Sequence, residues 1–122
     1  VSTTLLLVED NDLNRDMLAR RLARAGFQTV EATDGAAAIE VMREARPALV
    51  LLDMNLPVLD GWSVCERART SDDIADIPII ALTAHAMSED RERALRAGCD
   101  EYATKPIDFP ALLEKIRRLL NP

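Results

Sequence analysis

Glu9, Asp10, Asp53, Thr83 and Lys105 stand at or just past the ends of four short runs: Leu5-Leu6-Leu7-Val8, Leu49-Val50-Leu51-Leu52, Ile79-Ile80-Ala81-Leu82 and Tyr102-Ala103-Thr104. If those runs lie side by side in one parallel sheet, three carboxylates, a hydroxyl and an ammonium meet at one edge. Such a set can hold a divalent cation and a phosphoryl group together. Crowded carboxylates repel one another, so a cation is their natural neutraliser, and Mg²⁺ prefers one or two direct carboxylates, several waters and a phosphate oxygen. On this reading Asp10 and Asp53 are direct ligands of Mg²⁺ (or Mn²⁺), Glu9 acts through water, and the backbone carbonyl of Asn55 supplies a further ligand. Asp53 is central, which makes it the candidate nucleophile toward a phosphoryl donor, giving an aspartyl phosphate. Positioning and charge neutralisation by metal and lysine would then supply most of the catalysis. Lys105 precedes Pro106, whose ring fixes φ and permits a cis bond in a tight turn, so the ammonium can be aimed at Asp53. The Thr83 hydroxyl could reach the same phosphoryl oxygens. Taken singly, each residue also fits a plainer role: Glu9 and Asp10 capping a helix, Asp53 starting a loop, Thr83 capping a turn, Lys105 solvated before a helix.

The runs at 5–8, 49–52 and 79–82 do not alternate, as expected of strands covered on both faces. Segments of helical period separate them. Asp10-Asn11-Asp12 offers cap oxygens before a helix carrying Leu13, Met17, Leu18 and Leu22 and closing at Gly26. Asp34-Gly35 opens a second helix, with Ala38, Val41, Met42 and Ala45 at helical spacing, which Pro47 stops. A third is expected from about Asp60 to Arg69, and a fourth from Ser88, read as its N-cap, to Gly98. The last places Phe109, Leu112, Leu113, Ile116, Leu119 and Leu120 on one stripe behind the cap Asp108.

Gln28 to Ala32 and Glu101 to Thr104 are more polar strand candidates and belong at the sheet edges. Five β-α repeats with two polar edges predict an α/β fold, a doubly wound parallel sheet in the order 2-1-3-4-5. Its switch point falls between the first and third strands, and the crevice there opens at Asp10 and Asp53.

With 122 residues the chain is read as one domain spanning 1–122. A net charge of −6 disfavours a nucleic-acid surface, which needs a basic face. No apolar stretch approaches the roughly 20 residues that span a bilayer, and Val1 to Asp10 lacks a basic, cleavable leader pattern. No membrane association is expected, and the cytoplasm is the expected compartment. Cys65 and Cys99 show no CxxC spacing and are read as reduced, packed thiols.

Taken in order, Glu9-Asp10, Asp53-Met54-Asn55-Leu56-Pro57 with Asp60-Gly61, Thr83-Ala84 after Ile77-Pro78-Ile79-Ile80, and Lys105-Pro106 resemble the receiver domains of bacterial two-component response regulators. The resemblance covers nearly the whole chain and implies a flavodoxin-like (βα)5 fold. It implies that Asp53 takes phosphate from a phosphohistidine on a sensor histidine kinase or a histidine phosphotransfer protein, with Mg²⁺ required. Thr83 and Tyr102 then match the family's switch pair, whose rearrangement remodels the surface around helix 4, strand 5 and helix 5 to control a downstream protein or an attached domain. The chain would be a phosphoacceptor that catalyses only its own phosphorylation and dephosphorylation.

Glu9-Asp10-Asn11-Asp12-Leu13-Asn14 and the stretch from Ala81 to Met87 resemble stand-alone receivers and those attached to hybrid kinases. In both, the first helix and the loop after Lys105 dock the histidine-bearing helical bundle, so Leu13, Asn14, Met17, Pro106 and Ile107 are candidate contacts. Asn55 and His85 sit where members of the family tune attack of water on the acyl phosphate, and neither is an acid; moderately slow loss of phosphate is expected. A small phosphatase is disfavoured, because Asn55 stands where a second catalytic acid would be and no Gly-rich phosphate loop follows the first strand. A receiver-like interaction module that no longer takes phosphate is the rival reading, although Asp10, Asp53, Thr83 and Lys105 are all present.

Overall fold

The computed structural model describes residues 3–84 and 88–121; His85 therefore lies outside the described residues. Ten elements alternate along the chain: β1 (Thr4–Val8), α1 (Asp12–Arg24), β2 (Gln28–Ala32), α2 (Gly35–Ala45), β3 (Leu49–Asp53), α3 (Gly61–Arg69), β4 (Ile79–Thr83), α4 (Ser88–Ala97), β5 (Glu101–Thr104) and α5 (Phe109–Leu120). The five strands pair in parallel in the order β2-β1-β3-β4-β5. The polar strands β2 and β5 are the edges, as their composition requires.

Alternate residues of the central strands enter separate cores. Leu6, Val8, Val50, Leu52, Ile79 and Ala81 pack with α2, α3 and α4. Leu5, Leu7, Leu49, Leu51, Ile80 and Leu82 pack with Leu22 of α1 and with Leu112 and Ile116 of α5. Each of β1, β3 and β4 is thus covered on both faces, which is why its sequence is continuously apolar.

The caps follow local chemistry. Asn11, Asp34, Asp60 and Asp108 each adopt extended backbone and accept a hydrogen bond from the N–H three residues on, satisfying one of the donors every helix start leaves open. Ser88 is the first residue of α4 rather than the cap before it. The α1 stripe also divides: Leu22 is buried and Leu18 half-buried, while Leu13 and Met17 are 66% and 49% exposed.

Two glycines hold the loop after β3 against its neighbours. A Cβ on Gly61 would stand 2.6 Å from Met54 Cα and 2.7 Å from Asp53 O. A Cβ on Gly35 would overlap the carbonyl oxygen of Leu59 and lie 2.8 Å from the Leu59 Cβ. Because the obstacle at Gly35 is backbone, Gly35→Ala must push the loop away from α2 and is expected to cost about 2 kcal/mol. Urea unfolding checks this; a loss under about 0.5 kcal/mol would mean the loop yields freely.

Candidate phosphoryl and metal site

The strands β1, β3 and β4 end together, and the cleft above them has a volume of about 530 Å³. Glu9 extends β1 by one ladder bond, its N–H donating to Ala32 O at 3.1 Å, and its carbonyl accepts from Arg15 at 2.9 Å. Asp53 is the last residue of β3, and the Met54 N–H donates to Leu82 O at 3.0 Å. Thr83 ends β4 and accepts at its backbone oxygen from the Lys105 N–H at 2.7 Å. That bond carries the chain from β5 back over the cleft, and the Lys105-Pro106 peptide is cis.

Glu9, Asp53 and Thr83 are buried polar residues, whereas Asp10 is exposed at the rim. The carboxylates of Glu9, Asp10 and Asp53 each place an oxygen within 4.8 Å of the others. Lys105 Nζ lies 3.2 Å from Asp53 Oδ2 and 3.4 Å from Glu9 Oε1, so the ammonium has two partners where the sequence suggested only Asp53. The other Asp53 oxygen accepts from the Asn55 N–H at 3.0 Å. Asn55 is exposed and lines the cleft, on the same side as the acidic cluster.

These contacts set the charge states. Glu9 is pushed up to about 6, first by burial and then by its hydrogen bond to Asp53 and the charge of that neighbour, with Lys105 pulling the other way. For Lys105 burial alone would favour the neutral amine, but the fields of Asp53 and Glu9 outweigh it and hold its pKa above the ordinary value. A buried carboxylate that holds its proton more tightly because of a second one marks a site short of positive charge. An oxygen-only donor set of three carboxylates, one of them exposed, fits a hard divalent cation that keeps several waters.

A family model for the response regulator receiver domain matches residues 5–117. The chain belongs to that family. The polar-differentiation response regulator DivK of Brucella anthropi is 37% identical over 118 residues, covering 97% of this chain and 96% of that protein. The receiver domain of the sensor histidine kinase PA1611 from Pseudomonas aeruginosa, solved with a magnesium ion coordinated in its active site cleft, superposes with a TM-score of 0.92 at 34% identity over the whole of both chains. A chain from the co-crystal structure of the Saccharomyces cerevisiae histidine phosphotransfer protein Ypd1 with the receiver domain of Ssk1 matches with a TM-score of 0.90 at 30% identity, covering 97% of this chain and 88% of that one. Receivers bind Mg²⁺ at an acidic site, and this receiver carries an acidic cluster of Glu9, Asp10 and Asp53. Its fold is the flavodoxin-like one of those structures, and it is a signalling domain of phosphorelay systems rather than a conventional enzyme.

Of the other candidate residues of the receiver, only Asn14 lines this cleft. Tyr102 is half-buried on β5 and packs against the core beneath α3 and α4. It pairs in register with Ala81, two residues before Thr83 on β4, so both face the same side of the sheet. Asn14, Met17, Pro106 and Ile107 line a second cavity of about 350 Å³ between α1 and the loop after β5, with Leu13 exposed on α1 nearby. Sequence reasoning missed Trp62 and Arg93, which also line the cleft at the strand ends; the Arg93 guanidinium stacks 4.3 Å from the Trp62 ring centroid. Nothing local relates these residues, which come from α3 and α4.

Sequence reasoning also missed the turn that follows Asp53. The Leu59 N–H donates to Pro57 O at 2.7 Å, and Val58 between them has φ 67° and is 83% exposed. A bond across three residues with positive φ at the centre is a γ-turn of the strained kind, and a β-branched residue is poorly suited to it. Val58→Asn is expected to stabilise the receiver by about 1 kcal/mol. An unchanged or lowered urea midpoint would show that Val58 bears no strain.

Proposed function

We propose that Asp53 accepts a phosphoryl group from a phosphohistidine of a sensor histidine kinase or histidine phosphotransfer protein, in a Mg²⁺-dependent reaction. The observation that carries this reading is the buried Asp53 carboxylate held 3.2 Å from Lys105 Nζ beside the Glu9 and Asp10 carboxylates. An Asp53 oxygen forms the new P–O bond as the P–N bond to the donor imidazole breaks, and the imidazole leaves with the electron pair. Lys105 neutralises the oxygens of the transferring group, and the Asn55 N–H holds the carboxylate in line. Glu9, Asp10 and Asp53, with the Asn55 carbonyl, would hold Mg²⁺, which when bound offsets the charge of carboxylates and phosphoryl oxygens alike.

Thr83 is the group that contacts the arriving phosphoryl oxygens, and Tyr102 follows it inward, changing the surface of α4, β5 and α5 presented to a downstream protein or an attached domain. The donor docks on Leu13, Asn14, Met17, Pro106 and Ile107. Support comes from the exposure of Leu13 and Met17 beside an apolar cavity that borders Lys105, since apolar side chains left in solvent at a rimmed cavity are what a helical partner buries. Among the described residues no helix is long and apolar enough to cross a membrane, and we assign the receiver to the cytoplasm, where the donors of such relays present their histidines.

The test is incubation with Mg²⁺ and acetyl phosphate, followed by intact mass and peptide mapping. An acid-stable, base-labile phosphoryl adduct on Asp53 is expected. No adduct overturns the assignment and favours the module that no longer takes phosphate, and an adduct on another residue overturns Asp53 as the acceptor. With no carboxylate at Asn55 to orient water, the adduct should also decay slowly once donor is removed; a half-life of seconds would contradict this.

A further inference from the structure

Cys65 and Cys99 play no part in the phosphoryl site. They are separated by 34 residues, yet their Sγ atoms are in contact at 2.6 Å inside the core. Both are free thiols; Cys65 is fully buried in α3 and Cys99, in the turn between α4 and β5, is 5% exposed.

The surrounding backbone holds the two sulfurs together. Arg69 lies one helical turn beyond Cys65, and its guanidinium spans the turn that carries Cys99: Nε donates to Gly98 O at 2.7 Å and an Nη donates to Asp100 Oδ2 at 2.6 Å. The other Nη donates to Ala75 O and Ile77 O at 2.9 and 2.8 Å. Asp100 also accepts from the Ile79 N–H at 2.8 Å, and Gly98 turns the chain at φ 109°, a conformation glycine adopts without strain. The residues on both sides of Cys99 are therefore clamped to the helix that carries Cys65. A disulfide requires two cysteines whose side chains converge, and the Sγ contact held by this clamp meets that requirement.

We propose that Cys65 and Cys99 form an oxidant-sensitive dithiol, which a peroxide converts to an intramolecular disulfide joining α3 to the α4–β5 turn. Reaction begins at Cys99, the more exposed of the two residues. Its thiolate attacks one peroxide oxygen, the O–O bond breaks, and a sulfenic acid and hydroxide result. Cys65 then attacks the sulfenic sulfur, loses its proton and displaces the hydroxyl, which leaves as water. Two thiols and one hydrogen peroxide give one disulfide and two waters, the thiols being oxidised and the peroxide reduced. Contact with Cys99 and burial both push the Cys65 thiol up, so it is not the sulfur that reacts first. In a reducing compartment such a bond is transient.

The test treats the wild-type receiver under native conditions with hydrogen peroxide, then alkylates residual thiols in denaturant and maps peptides without reduction. Both thiols should disappear together, with a mass lower by two hydrogens, a linked Cys65–Cys99 peptide, no crosslink between chains, and full reversal by dithiothreitol. The oxidised receiver should melt roughly 10 °C higher, since the crosslink closes a long loop without distortion. Cys65→Ser should leave Cys99 carrying added oxygen and no link. Thiols that stay alkylatable, chains joined to one another, over-oxidised Cys99 in the wild type, or a lowered melting temperature would each overturn the proposal. The wild-type readouts decide the matter even where the serine variant folds poorly.

Discussion

Asp53→Asn is expected to take up no phosphoryl group from acetyl phosphate and Mg²⁺, and yet to fold more stably than the wild-type receiver when no metal is present. An amide oxygen is too weak a nucleophile to form the acyl phosphate, although Asn fills the same space and can still accept the Asn55 N–H that Asp53 now accepts at 3.0 Å. The stability change comes through Glu9, whose pKa rises from 4.5 to about 6 through burial and then through Asp53. A raised carboxyl pKa means that the folded receiver binds the proton more tightly than the unfolded chain. Below pH 4.5 Glu9 is protonated in both states and costs nothing; as pH rises from there through about 6 the unfolded chain releases its proton first and stability falls. The whole penalty is present at neutral pH. Removing the Asp53 charge takes away the part due to that neighbour, about 1 kcal/mol, with some offset because Lys105 keeps only Glu9. Urea unfolding in a chelator at pH 5 and pH 7.5 should show the gain at the higher pH and little of it at the lower. A phosphoryl adduct on the Asn variant would place the acceptor elsewhere, and equal stability at neutral pH would mean Lys105 already neutralises the pair.

Lys105→Met should slow phosphoryl uptake by about 10²–10³-fold, the usual cost of deleting one preorganised charge from a transition state. Lys105 is the cation placed against both Asp53 and Glu9, at 3.2 and 3.4 Å, and methionine keeps the bulk of its stem without the charge. Its loss also removes the one influence that lowers the Glu9 pKa through charge and hydrogen bonding. The metal-free variant should therefore hold the Glu9 proton to higher pH and, as pH rises from 4.5, go on losing stability beyond about 6, where the wild type has levelled off. Lys105→Arg retains charge but presents a planar fork on a different stem, so it should recover part of the rate. The initial rate of mass gain at saturating acetyl phosphate and Mg²⁺ measures the effect. A rate for the methionine variant within about tenfold of wild type would remove Lys105 from the reaction.

The strand runs, the helix caps and the sheet order are legible because each follows from local chemistry. Leu49 to Leu52 must be covered on both faces, Asp34, Asp60 and Asp108 carry the oxygens that helix starts need, and the polar Gln28 to Ala32 and Glu101 to Thr104 cannot be central. Once the order is known, Glu9, Asp10, Asp53, Thr83 and Lys105 are brought to one edge by topology alone. Periodicity was less informative on α1. It groups Leu13, Met17, Leu18 and Leu22, but which of them turn inward depends on how the helix lies on the sheet, and only Leu22 is buried.

The amino-acid sequence by itself determined the five-fold β-α alternation, the edge strands, and the residues at the strand ends, because burial on two faces, capping and edge polarity act over a few residues. Only the tertiary structure decided that Lys105 bridges Glu9 as well as Asp53, that Arg93 lies over Trp62, that Val58 takes a positive φ, and that Cys65 meets Cys99. Those features depend on where helices land on the sheet and how loops close over it. They are set by packing between segments tens of residues apart, for which no local spacing carries a signal.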